Sequence, residues 1–180
     1  MYGIINQAIE ELIRETYGDD KWELIRERSG VETDFFISHE PYDDRLTFAL
    51  AGTACDVLGI SMTHFLREFG EWWVLRTGRE KYGGLLEAGG STFGEFLANL
   101  PVFHNRIMLI YPKLAPPEFR VVPLGENHMQ VHYHSHRHGL QEMVYGLLSG
   151  IAKMYGTRAR IEIAESRLAG CDHDVFNVTW

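Results

Sequence analysis

Three prolines within six residues, Pro112, Pro116 and Pro117, divide this 180-residue chain into stretches of different hydrophobic period. Proline lacks the N–H that a helix needs and clashes with the preceding turn, so a helix is not expected to cross the cluster. Upstream, apolar residues recur at helical spacing. Ile4, Ile5, Ala8, Ile9, Leu12 and Ile13 form one stripe, with Glu10, Glu11 and Arg14 opposite, and Gly18 closes the segment. A second helix is predicted over 21–28, stopping at Ser29-Gly30. A third covers 46–58 and ends at Gly59, and Ser61 is placed to cap a fourth over 62–69. Trp72 and Trp73 open a further helical run, and the pairs Gly83-Gly84 and Gly89-Gly90 are expected to mark turns. Ser91 or Thr92 then caps a helix carrying Phe96, Leu97, Leu100, Phe103, Ile107 and Ile110.

Downstream the period shortens. Residues 119–123 and 129–133 read as strands joined by a turn at Gly125-Glu126-Asn127, followed by a helix over 140–155. Two more strands are predicted over 158–165 and 174–179. Helices first, then a small antiparallel sheet with a helix packed on it, is an α+β pattern, expected to form one domain over 1–180.

Composition narrows the function. The chain is 45% hydrophobic and carries a net charge of −8, with acidic residues spread along it. That field opposes nucleic acid, and no basic patch interleaved with aromatics counters it. No apolar run reaches the roughly 18 residues of a membrane-spanning helix. The N-terminus lacks a basic segment and a cleavage site, so a cytoplasmic protein is expected. Cys55 and Cys171 stand far apart and suggest neither a disulfide framework nor a thiol-rich zinc site.

Two features carry possible chemistry. His104 stands on an otherwise apolar helix, where it suits either a hydrogen-bonded core position or a metal ligand. The second feature is the run His132-Tyr133-His134-Ser135-His136-Arg137-His138. On a strand, alternation puts the four histidines on one face and Tyr133, Ser135 and Arg137 on the other. The histidine face suits a metal ion or simple solvation. The opposite face offers three donors suited to carboxylates or a phosphate, the arginine in bidentate fashion.

The N-terminal MYGIINQAI, the segment FGEWWV at 69–74, His104 on its helix, Pro116-Pro117 and Tyr133-x-Ser135-x-Arg137 together resemble the H-NOX family of haem nitric oxide/oxygen binding domains. That family includes the haem domain of soluble guanylate cyclase and bacterial sensors. The resemblance runs nearly end to end and implies haem b between a helical lobe and a sheet-bearing lobe. It makes His104 the iron ligand, Tyr133, Ser135 and Arg137 the propionate clamp, and Pro117 a residue pressing on the haem. Ile5, Ile9, Trp73, Met143 and Leu147 fall at positions lining the distal pocket. Oxygen-binding members carry a donor tyrosine where this chain has Met143, and methionine cannot donate. Tyr145, two residues on, points about 200° away around the helix.

The resemblance therefore implies a sensor of nitric oxide and carbon monoxide that excludes oxygen, rather than an enzyme. It is expected to signal to a separate partner such as a histidine kinase or a cyclic-di-GMP enzyme. An oxygen sensor, and a non-haem metal module built on the His132–His138 row, are the alternatives. Cys171-Asp172-His173 is not read as a zinc site, because Gly139 and Ile161 stand where further ligands would be needed.

Overall fold

The computed structural model describes residues 1–33, 35–111 and 117–180, and at 108 the backbone only. Pro112 and Pro116 lie outside the described residues. The chain forms two compact units, Met1–Phe69 and Gly70–Trp180.

The first unit is helical: α1 (Gly3–Tyr17), α2 (Asp19–Ser29), α3 (Asp44–Leu58) and most of α4 (Met62–Trp72), within which the division falls. The stripe foreseen on α1 is its buried face, with Ile4, Ala8, Ile9, Leu12 and Ile13 inside beside Trp22 and Ile25 of α2 and Leu50, Ala51 and Ala54 of α3. Local capping chemistry sets the helix starts. Asp43 accepts from the backbone N–H of Arg45 at 2.9 Å, and Ser61 from that of His64 at 3.1 Å. One polar pair is fully interior: Thr47 donates to Asn6 Oδ1 at 2.7 Å.

In the second unit α4 runs into a π-helical turn, Trp73–Gly78, and then α5 (Arg79–Glu87). The helical run expected from Trp72 and Trp73 is thus widened by a turn with an i→i+5 pattern. Gly78 permits it, since a Cβ there would stand 2.9 Å from the carbonyl oxygen of Trp73, five residues back. Gly83-Gly84 does not end the helix as expected. The backbone kinks at Tyr82 (φ −132°, ψ 23°) and α5 continues through both glycines.

Next comes α6 (Phe93–Ile110), opened by a reciprocal cap. Thr92 accepts from the Glu95 N–H at 3.2 Å, and Glu95 accepts from the Ser91 N–H at 2.7 Å. The strands are β1 (Glu118–Gly125), β2 (His128–His134), β3 (Arg160–Glu165) and β4 (Asp174–Thr179), with α7 (Gln141–Met154) between β2 and β3. The sheet is antiparallel in the order β1-β2-β4-β3, so β2 is an inner strand flanked by β1 and β4. The β1–β2 turn places Asn127 at φ 56°, a left-handed conformation asparagine tolerates. One apolar core joins Val131 and Phe176 of the sheet, Val144 and Leu148 of α7, and Phe96 and Leu97 of α6. Among the described residues no single helix is long and apolar enough to cross a membrane.

Candidate functional site

His104 stands in the fourth turn of α6, three residues after Pro101, which interrupts the helix's hydrogen-bond ladder. Although the residue keeps some exposed surface, its Nδ1 is out of contact with solvent and has no hydrogen-bond partner. Burial pushes the ring's pKa down from 6.5 to about 4, so it is neutral at physiological pH. Its ring lies 4.9 Å from that of Phe119, and the Phe119 ring lies 5.3 Å from that of Tyr133. Phe119 and Tyr133 are direct partners across β1 and β2, so the sheet register builds this ring bridge.

Strand alternation puts Tyr133 opposite His132 and His134 as expected, on the face of β2 that is buried, and it is 4% exposed. Beyond His134 the strand ends and residues 136–139 form a bend. Ser135 and Arg137 therefore come together with Tyr133 through a turn rather than along one strand face. The Ser135 hydroxyl accepts from the backbone N–H of Arg137 at 3.1 Å. Burial raises the Tyr133 hydroxyl's pKa, while a hydrogen bond from Ser135 and the Arg137 charge act against that rise. A phenol, a hydroxyl and a guanidinium thus converge.

The expected row of four histidines divides. His132 and His134 remain on β2, whereas His136 and His138 fall in the bend. His132 and His134 meet His173 instead. The Nδ1 of His132 and Nε2 of His173 are hydrogen-bonded at 2.8 Å, the His134 and His173 rings stack at 4.0 Å and 17°, and His173 Nδ1 also bonds Asp172. Nearly parallel stacked rings direct their in-plane lone pairs alongside one another instead of at a shared ion. Among the described residues, no group of three or more histidine, cysteine or acidic side chains is arranged to hold a metal ion.

The other expected site residues distribute as follows. Trp73 lies in the π-turn, and Met143 and Leu147 lie one turn apart on α7; Trp73 and Leu147 pack at the edge of the second unit's core. Tyr145 also packs against that core. Pro117, half-buried, precedes β1. Ile5 and Ile9 belong to α1 in the first unit, Ile9 fully buried and Ile5 half-buried. The sequence did not single out Phe119, which pairs with Tyr133 only once β1 and β2 are in register. It also missed Arg167, whose guanidinium reaches the bend from thirty residues away.

These residues fit a haem. A mostly enclosed, uncharged imidazole suits an iron-held histidine. The tyrosine, serine and arginine are donors of the kind that carboxylates accept from, and the Phe119 ring lies between His104 and Tyr133. Taken with the fold, they define a haem-binding gas-sensor domain.

The comparisons agree. Residues 2–163 match the model of the haem-NO-binding (HNOB) family. The chain is 28% identical to soluble guanylate cyclase gcy-31 of Caenorhabditis elegans over 92% of its own length and 24% of that protein's. It is 24% identical to soluble guanylate cyclase 89Da of Drosophila melanogaster over 93% of its length and 25% of that protein's. It thus spans about a quarter of these curated relatives. An H-NOX protein from S. oneidensis in the Fe(II)NO ligation state superposes with a TM-score of 0.89 at 20% identity, covering 99% of this chain and 98% of that one. An Fe(II) unliganded H-NOX mutant from K. algicida gives 0.87 at 23% identity, covering 99% and 96%. The chain belongs to the haem-NO-binding, or H-NOX, family.

Proposed function

We propose that His104 is the protein ligand to the iron of haem b and that Tyr133, Ser135 and Arg137 hold its propionates. The domain then senses nitric oxide, and carbon monoxide, in preference to oxygen. The observation that carries this is His104, a mostly enclosed imidazole that burial keeps uncharged on an otherwise apolar helix, the form that can give a lone pair to iron. The haem supplies a ferrous centre at which a diatomic gas binds. The chain supplies one neutral imidazole, donors for the carboxylates, and an apolar lining.

Selectivity rests on α7. Met143 and Leu147 offer no hydrogen-bond donor, and Tyr145, the nearest hydroxyl in sequence, packs against the core. Oxygen, which depends on a donor to stabilise its partial negative charge, gains nothing from these two side chains. Nitric oxide needs no such help. We assign Trp73 and Pro117 to the same pocket; for Ile5 and Ile9 the support is the family resemblance.

Signalling follows from where His104 sits. Pro101 removes one ladder bond a turn before it, so α6 is weakest where a change at His104 would bend it. A change in how His104 is held would let α6 relax, a two-state change that a separate effector would read. Guanylate cyclases carry such domains in the relatives; a histidine kinase or a cyclic-di-GMP enzyme is the partner class proposed for this chain.

The test is an absorption spectrum of the purified protein, reduced and then exposed in turn to oxygen, carbon monoxide and nitric oxide. Spectral shifts with the last two and none with oxygen are expected. No Soret band after expression with ample haem would refute the haem assignment, and a stable oxygen spectrum would refute the selectivity.

A further inference from the structure

We propose that Arg167 is a positioning residue of the propionate clamp, tethering the backbone that presents Ser135 and Arg137 and adding a second cation beside them. The inference rests on the haem reading above.

Residues 136–139 lie in a bend beyond the last ladder bond of β2, so sheet pairing does not hold them. Arg167 does. Its Nη1 donates to the carbonyl oxygen of Ser135 at 2.5 Å and to that of Arg137 at 3.2 Å, and its Nη2 donates to Nε2 of His138 at 3.3 Å. A planar guanidinium can span two carbonyls and a ring nitrogen at once, which a lysine's point charge cannot reproduce.

The tether is anchored at its own base. Arg167 opens the 3-10 turn Arg167–Ala169, capped by Ser166, whose hydroxyl accepts from the Leu168 N–H at 3.1 Å and bonds Gln141 of α7. The Arg167 backbone N–H donates to Asp174 Oδ1 at 2.8 Å. Asp174 is 5% exposed and sits directly across the β2–β4 ladder from Tyr133. The same short segment is thus fastened to the strand neighbour of one clamp residue and to the carbonyls of the other two. The Tyr133 hydroxyl, raised chiefly by burial, is acted on in the opposite direction by the charges of both Arg137 and Arg167. The electrostatic consequence is a second positive charge near the Tyr133 hydroxyl.

A double-mutant cycle tests this in the full chain, using R167Q, R137A, their combination, and R167K. Haem loss to excess apomyoglobin is one readout. Amide exchange at 135–139 in the haem-free protein is the other, with exchange in β3 and β4 reporting whether the fold is intact. R167Q is expected to speed haem loss about 10- to 100-fold, the scale of a lost charge-assisted interaction. R167K should restore only part of this. In the R137A background, R167Q should add about threefold or less, because both act through one clamp. Exchange at 135–139 should rise in R167Q while β3 and β4 stay protected. Haem loss within twofold of wild type, effects that multiply in the double variant, or unchanged exchange at 135–139 each overturn the proposal. If the wild-type chain takes up no haem, the haem reading fails, and with it the clamp role; exchange then reports the tether alone.

Discussion

Gly70 is the position where one added methyl group should do most to disturb the proposed ligand pocket. It lies on α4 against α7. A Cβ there would stand 2.3 Å from the carbonyl oxygen of Met143, 2.7 Å from the amide nitrogen of Leu147 and 3.0 Å from the carbonyl carbon of Gly146. All three are backbone atoms, so no rotamer change relieves the clash. The two segments must separate by roughly 1 Å to reach ordinary contact. Overpacking of this kind costs about 1–3 kcal/mol, and its upper end applies here because rigid helices must move. Against that, alanine in place of glycine inside a helix gains about 1 kcal/mol. The net for Gly70→Ala is a loss of about 1–2 kcal/mol, equivalent to roughly 2–8 °C in Tm for a chain of this size. Gly52, inside α3, has nothing within 4 Å of its Cβ position, so Gly52→Ala should raise stability by about 0.5–1 kcal/mol. The assay is urea and thermal unfolding of both variants beside the wild type. Carbon monoxide release is followed in parallel, since the displaced atoms belong to Met143 and Leu147. If Gly70→Ala stabilises the protein as Gly52→Ala does, the close approach of α4 and α7 is not what requires glycine, and the reasoning fails.

Three further outcomes are expected. Burial holds His104 at a pKa of about 4 instead of 6.5, so between these values the unfolded chain takes up a proton that the folded chain refuses. Haem-free protein should thus lose up to about 3 kcal/mol as pH falls from 6.5 to 4. His104→Leu should remove that slope, and urea midpoints of the two proteins at pH 7, 5.5 and 4.5 check it; parallel slopes would count against the buried ring. Met143→Tyr supplies a hydroxyl on the α7 face bearing Leu147 and is expected to raise oxygen affinity at least about tenfold, the scale of one hydrogen bond to a charged partner, as measured by oxygen titration of the reduced protein. Pro101→Ala restores the ladder bond of α6 and should raise Tm by about 2 °C or more. It should also blunt any spectroscopic or partner response that depends on α6 relaxing, and a response identical to wild type would argue against α6 as the moving element.

What could be foreseen in this molecule is what depends on near neighbours in the chain. The caps at Ser61 and Thr92 each involve an amide three residues on, so a short pattern suffices to find them. The separation of Tyr133 from His132 and His134 onto opposite faces needs only the two-residue period of a strand, and the apolar stripe of α1 only the helical one. His104 was visible as an outlier on an apolar helix, and the spaced Tyr133, Ser135 and Arg137 as a set of donors, so the chemistry of the site was legible before its geometry.

What the tertiary structure alone decided depends on segments distant in sequence. The π-turn at Trp73 lies against α7, and α5 passes through Gly83-Gly84 because neither glycine takes the left-handed conformation that ends a helix. The strand ends at His134, which splits the histidine row and leaves His132 and His134 to meet His173, some forty residues away. The bridge from His104 through Phe119 to Tyr133, and the reach of Arg167 to the bend, exist only after β1, β2 and β4 are in register. Periodicity and capping are written in consecutive residues and survive without a fold. Long-range contacts form only when burial of the shared core offsets the entropy of bringing those segments together, and no local pattern records that balance.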